Sequence, residues 1–192
     1  MRERPELDAV NEVDADAGLL DADTSAAAAL QLLSEFPVED EQALAARVGT
    51  WNIKISMWND PSAPVQVSEG TSTMSLILGG RYLQDVTHST YNGMPFAGHG
   101  LTGYDNLKKK FVSTWIDNMG TGLMVAEGTY DAATKTCTSL GEAPDPMAGK
   151  YMKLKTVDTT LGPDHWTSVM YSQTPDGKGW WKMMEMDYTR KK

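Results

Sequence analysis

The chain has 192 residues, 41% apolar and 22% charged, with a formal net charge of -9. That length suits one domain with a sizeable core and an extension. The single cysteine, Cys137, excludes an internal disulfide and multi-thiolate metal centres, and no apolar run is long enough for a membrane-spanning helix.

The charge is unevenly spread. Residues 1–45 hold 12 acidic and 2 basic side chains, whereas the rest of the chain holds 14 and 15. This predicts an acidic N-terminal extension over 1–45 and a nearly neutral domain over 46–192. An acidic arm is repelled by nucleic acid and by anionic membranes, so neither is expected as a partner. The first residues lack the apolar stretch of a secretory signal, and a cytoplasmic location is the expectation. Residues 1–23 are charge-rich and poor in aromatics, a composition that predicts disorder. The run SAAAALQLLSEF predicts a helix over 24–36, with Asp23 or Thr24 as N-cap and Pro37 ending it. A shorter helical piece over 39–48 leads toward the first strand.

From Trp51 the apolar period changes to two. Trp51, Ile53, Ile55 and Met57 alternate with Asn52, Lys54 and Ser56, and similar alternation returns around Met74, Met152 and Met184. Nine turn signals separate these runs, among them Gly79-Gly80, Asn92-Gly93, Pro144-Asp145-Pro146 and Pro175-Asp176-Gly177. Nine evenly spaced turns predict ten antiparallel strands in a meander. Ten strands in an open sheet would leave exposed edges, so closure into an up-and-down β-barrel is the most economical arrangement, with a two-sheet sandwich as the alternative.

The stretch Gly98–Asp131 is the least generic. It carries Gly103-Tyr104-Asp105-Asn106, Trp115-Ile116-Asp117 and Glu127-Gly128-Thr129-Tyr130-Asp131. These sit with Gly79-Gly80-Arg81-Tyr82-Leu83 upstream and Tyr188-Thr189-Arg190 near the C-terminus. With these pieces, residues from about 45 to 191 resemble the bacterial domain of unknown function 1579. That family looks like a member of the calycin superfamily, with lipocalins and nitrobindin-like haem barrels as distant relatives. The resemblance implies an all-β, calycin-like barrel with an internal cavity, and it implies no reaction. The haem-binding relatives use an axial histidine late in the chain. The last strand here has none, so no cofactor is expected and haem is disfavoured.

The candidate ligand-lining residues are Trp51, Tyr82, His88, His99, Trp115, Glu127 and Met184. Taking Asn92-Gly93 as the hairpin turn opposes Val86 to His99 and His88 to Ala97. His88 and His99 then share a face with Tyr82, Val86 and Leu101, which reads as the inner one. Two imidazoles without a third ligand make no metal site. Glu127 shares a face with Leu123 and Val125, and burial without a cation would raise its pKa toward acid–base use. Glu185 has the same ambiguity, while Lys108-Lys109-Lys110 reads as a solvated turn. Trp51, Trp115 and Met184 suit a deformable pocket, because Met adapts its shape and Trp buries a large surface. The leading expectation is a container for a small, largely apolar molecule, possible as a homo-oligomer. The alternatives are a barrel enzyme using His88 or Glu127 as general base, and an interaction module acting through the acidic arm.

Overall fold

The computed structural model describes residues 38–145 and 149–192. Helix α1, Val38–Ala45, leads into ten strands. In order these are β1 Gly49–Met57, β2 Gln66–Ile77, β3 Tyr82–Tyr91, β4 Met94–Asp105, β5 Lys110–Asp117, β6 Met124–Asp131, β7 Thr136–Asp145, β8 Lys150–Gly162, β9 His165–Gln173 and β10 Trp180–Arg190. Each strand pairs antiparallel with the next, and β10 returns to β1 to close a barrel without edges. The fold is therefore the ten-stranded up-and-down barrel that the turn spacing predicts. The helix expected over 24–36 lies outside the described residues. The expected turn at Pro144-Asp145-Pro146 begins later than predicted, because Pro144 and Asp145 still belong to β7, opposite Tyr151 and Lys150.

Turn chemistry sets the registers. Asn92 and Gly93 take φ of 49° and 78°, the left-handed pair that a two-residue hairpin needs, and Val86 faces His99 as expected. At the β4–β5 turn the Asp105 carboxylate accepts the Leu107 and Lys108 amides at 2.9 and 3.0 Å. Asp131 does the same for Ala133 and Thr134 at the β6–β7 turn. These aspartates close turns by bonding their own backbone.

The lower end of the barrel is solid. Trp51, Ile53, Phe111, Trp166 and Tyr188 are buried there with Leu44 of α1. Trp51 and Arg190 are direct partners across the β1–β10 seam. The Arg190 guanidinium lies 4.1 Å from the Trp51 ring centre. It donates to the Val48, Ala46 and Pro163 carbonyls and to the Asp164 carboxylate, at 2.7–3.1 Å. Gly49 makes room for it, since a Cβ there would come within 2.6 Å of Arg190 Nη1, and its φ of 131° suits only glycine. Replacing Arg190 by Ala removes a stacked cation and four hydrogen bonds. The expected cost is about 2–3 kcal/mol, read as a lower urea midpoint with an unchanged m-value.

Candidate functional site in the barrel lumen

The register assigns every strand an inner face. On β4 to β7 it presents the small residues Gly98, Gly100, Thr102, Ser113, Ala126, Gly128, Ser139 and Gly141, interspersed with Phe96, Tyr104, Phe111, Trp115, Met124 and Tyr130. On β1, β9 and β10 it presents large side chains, including Met57, Met170, Met184 and Met186. Above the floor, several inward residues remain only half-buried, among them Thr102, Ser113, Met124, Thr156, Met170 and Met184. These side chains keep accessible surface that the floor residues do not, and the barrel interior above the floor is its lumen.

The floor of this lumen is a stack of rings and charges. Trp166 lies between Tyr188, stacked at 3.6 Å, and Arg47, whose guanidinium sits 3.7 Å above the indole. Arg47 follows α1, and its Nη2 donates to Thr160 at 3.2 Å while its carbonyl accepts from Trp51 Nε1 at 2.8 Å. Asp158, inward on β8 one step from Thr160, is held by Ser168. Its Oδ1, Arg47 Nη1 and Trp166 Nε1 are sealed from solvent without a hydrogen bond. Burial lowers the pKa of Arg47 and raises that of Asp158, and each charge partly offsets the other's penalty. Burial, then the nearby Asp85 and Asp158, raises the Tyr188 phenol well above its ordinary value; its hydroxyl reaches Met186 Sδ at 3.3 Å.

Beside the floor, Asp85 of β3 points inward, one step from Leu83 and opposite Met74. Its Oδ1 accepts the Ser72 hydroxyl at 2.5 Å and the Thr87 hydroxyl at 3.0 Å. Burial raises its pKa, and those two hydroxyls offset the shift only in part. Trp115 lies flat against β4, where a Cβ on Gly98 would collide with its ring. Its indole Nε1 donates to Asp117 at 3.1 Å. Phe96 lies nearly parallel, with ring centres 6.5 Å apart. Gly98 and Gly100 thus serve as the bed for a tryptophan.

The predicted residues divide between the two faces. Trp115 and Met184 line the lumen, whereas Trp51 is 1% exposed in the floor. The inner-face reading of Tyr82, His88 and His99 is corrected: all three point outward and are exposed. Tyr82 covers Gly103 on the outer wall, where a Cβ would meet its ring at 2.6 Å. The true inner set on β3 is Leu83, Asp85 and Thr87. Glu127 is also outward. Lys108 and Lys110 hold it at 2.6 and 3.3 Å, and their hydrogen bonds lower its pKa, so it is a paired surface carboxylate rather than a buried acid. Glu185 pairs with Lys182 at 2.7 Å. A shallow outer depression of about 460 Å³ beside Glu127, Leu140 and Tyr151 lies on the far side of the wall from the lumen. Sequence reasoning missed Arg47, Asp85 and Asp158. Asp85 and Asp158 were legible only as charges in alternating runs, at Leu83–Thr87 and Thr156–Thr160.

Residues 37–190 match the family described as Protein of unknown function (DUF1579). The chain belongs to this family. No curated protein matches it in sequence. Among solved structures, Rv2717c from M. tuberculosis is similar, with 12% identity and a TM-score of 0.57 over 79% of this chain and 96% of that one. A de novo designed fluorescence-activating β-barrel aligns at 14% identity and a TM-score of 0.44, over 78% and 97% of the two chains. Likeness at these identities concerns the fold alone. Among the described residues, no helix is long and apolar enough to cross a membrane, and no group of three or more His, Cys, Asp or Glu side chains is arranged to hold a metal ion.

The floor pair gives a testable energetic signature. Arg47→Met leaves the buried Asp158 without its opposing charge and should cost about 3 kcal/mol or more, most of it recovered when Asp158→Asn is added. The pH dependence has a definite sign. A carboxyl whose folded pKa is raised destabilises nothing below the ordinary value of 3.8, destabilises increasingly as pH rises from there to the raised folded value, and by a constant amount above it. The urea midpoint of wild type relative to Asp158→Asn should therefore fall with rising pH across that window and then level off.

Proposed function

We propose that this protein binds a small, largely apolar molecule inside the barrel. The observation that carries this reading is the half-buried inner wall above a sealed floor. Met57, Met170 and Met184 of β1, β9 and β10 face inward, as does Met124 of β6 among the Gly, Ser and Thr residues of β4 to β7. Thioethers on flexible side chains adapt to the shape of an apolar guest, and burying that guest supplies roughly 25 cal/mol per Å² of apolar surface removed from water. Orientation falls to the few polar groups that face inward, chiefly Asp85, Thr102, Ser113 and Thr156, in place of the outward His88, His99 and Glu127. A one-ended chamber of this kind fits the calycin-like architecture that the sequence resembles.

The test uses the neutral fluorophore N-phenyl-1-naphthylamine with the full chain. Wild type should bind it at one site with a blue-shifted, enhanced emission. Thr156→Trp fills the lumen and should abolish binding while circular dichroism stays native. Leu140→Ser, on the outer wall, should leave binding unchanged. A probe signal that survives Thr156→Trp and disappears in Leu140→Ser would place the apolar site outside the barrel and overturn the reading.

A further inference from the structure

We propose that Asp85 and Trp115 form a recognition site on the lumen wall for an organic cation, so that the guest is a small apolar molecule bearing one ammonium-type group. The inference rests on the reading of the lumen as a binding chamber and names the chemistry of its occupant.

Asp85 has a job within the sheet, because its Oδ1 ties the Ser72 hydroxyl of β2 to the Thr87 hydroxyl of β3. An asparagine oxygen would accept the same two bonds without the cost of burying a charge. The carboxylate therefore exceeds what the sheet needs. Its second oxygen carries no hydrogen bond from the described residues, and the residue keeps some accessible surface. No lysine or arginine of the described residues offsets its charge; the nearest cationic influence is His99, on the outer face. The two arginines at the floor are already engaged, Arg47 on Trp166 and Thr160, and Arg190 on Trp51 and Asp164. The strand lysines Lys54, Lys153, Lys155 and Lys182 belong to the outer face by register.

Trp115 supplies the second half of the site. A Cβ on Gly100 would stand 3.2 Å from the Trp115 ring and 3.4 Å from Asp85 Cβ, so both residues border the niche left by that missing side chain. One indole face rests on β4, and the residue is only half-buried. The indole N–H is committed to Asp117, which adds negative potential to the same side of the barrel. A carboxylate beside an aromatic face is the pairing that recognises ammonium groups, through charge and through the ring quadrupole. An anionic guest would meet an uncompensated like charge there.

The experiment compares two probes of equal shape by equilibrium dialysis. They are (2-naphthylmethyl)trimethylammonium and its neutral carbon isostere, 2-neopentylnaphthalene. Wild type should bind the cation at least about tenfold more tightly than the isostere. Asp85→Asn should erase that preference while keeping the affinity for the neutral probe, and it should unfold at a urea concentration no lower than wild type. Trp115→Phe, which keeps an aromatic face, should retain a reduced preference. Equal binding of both probes to wild type, or a preference that persists in Asp85→Asn, overturns the cation site and leaves the chamber reading intact. Binding of neither probe removes the chamber reading, and the cation site with it.

Discussion

The stack of Arg190 on Trp51 is the contact on which the barrel depends. The two residues face each other on β10 and β1, the pair of strands that closes the sheet on itself. The same guanidinium bonds the carbonyls that link α1 to β1 and the turn between β8 and β9. One side chain thus joins the seam, the helical lead-in and a neighbouring hairpin. Below it, Trp51 meets Trp166 edge-on at 6.2 Å, and Trp166 is clamped by Tyr188 and Arg47. The stack seals the lower end with rings and delocalised cations, groups that tolerate partial dehydration better than an ammonium would.

Ten strands set the second constraint. An eight-stranded barrel is just wide enough for its own side chains to fill, and extra strands widen the interior. On β4 to β7 this chain alternates large and small inward residues. Gly98 and Gly128 would clash with Trp115 and Ser139 if they carried a Cβ, so the glycines are the beds on which neighbouring side chains pack.

Strand number and register were legible because turns are local. Asn92-Gly93 and Gly79-Gly80 declare positive φ within two residues, and the strand pairing follows by counting. The direction each face points was less legible, for a physical reason. Alternation rules assume an apolar inside and a polar outside, whereas β3 and β4 carry Tyr82, Val86 and Leu101 outward and Asp85, Thr87, Gly98 and Gly100 inward. A polar, glycine-rich inner wall inverts the pattern, and the histidines were assigned to the wrong side with it. The floor was illegible for another reason. Arg47, Trp51, Asp158, Trp166 and Arg190 lie far apart in the chain, and only closure brings them together.

The motifs that mark the family divide by what they build. Asp105 and Asp131 close turns, Gly103 makes room for Tyr82, and Tyr188 and Arg190 belong to the floor. These residues build the turns, wall and floor of the barrel. Trp115-Ile116-Asp117 differs, because Trp115 presents an indole to the lumen and Asp117 fixes the orientation of that indole. Asp85 differs more sharply. A buried carboxylate that a neutral amide could replace structurally lowers the stability of the fold. The sealed floor already pairs its own carboxylate with Arg47. The wall carboxylate has no such partner among the described residues, and that difference between the two buried carboxyls is the ground for the proposed cation site.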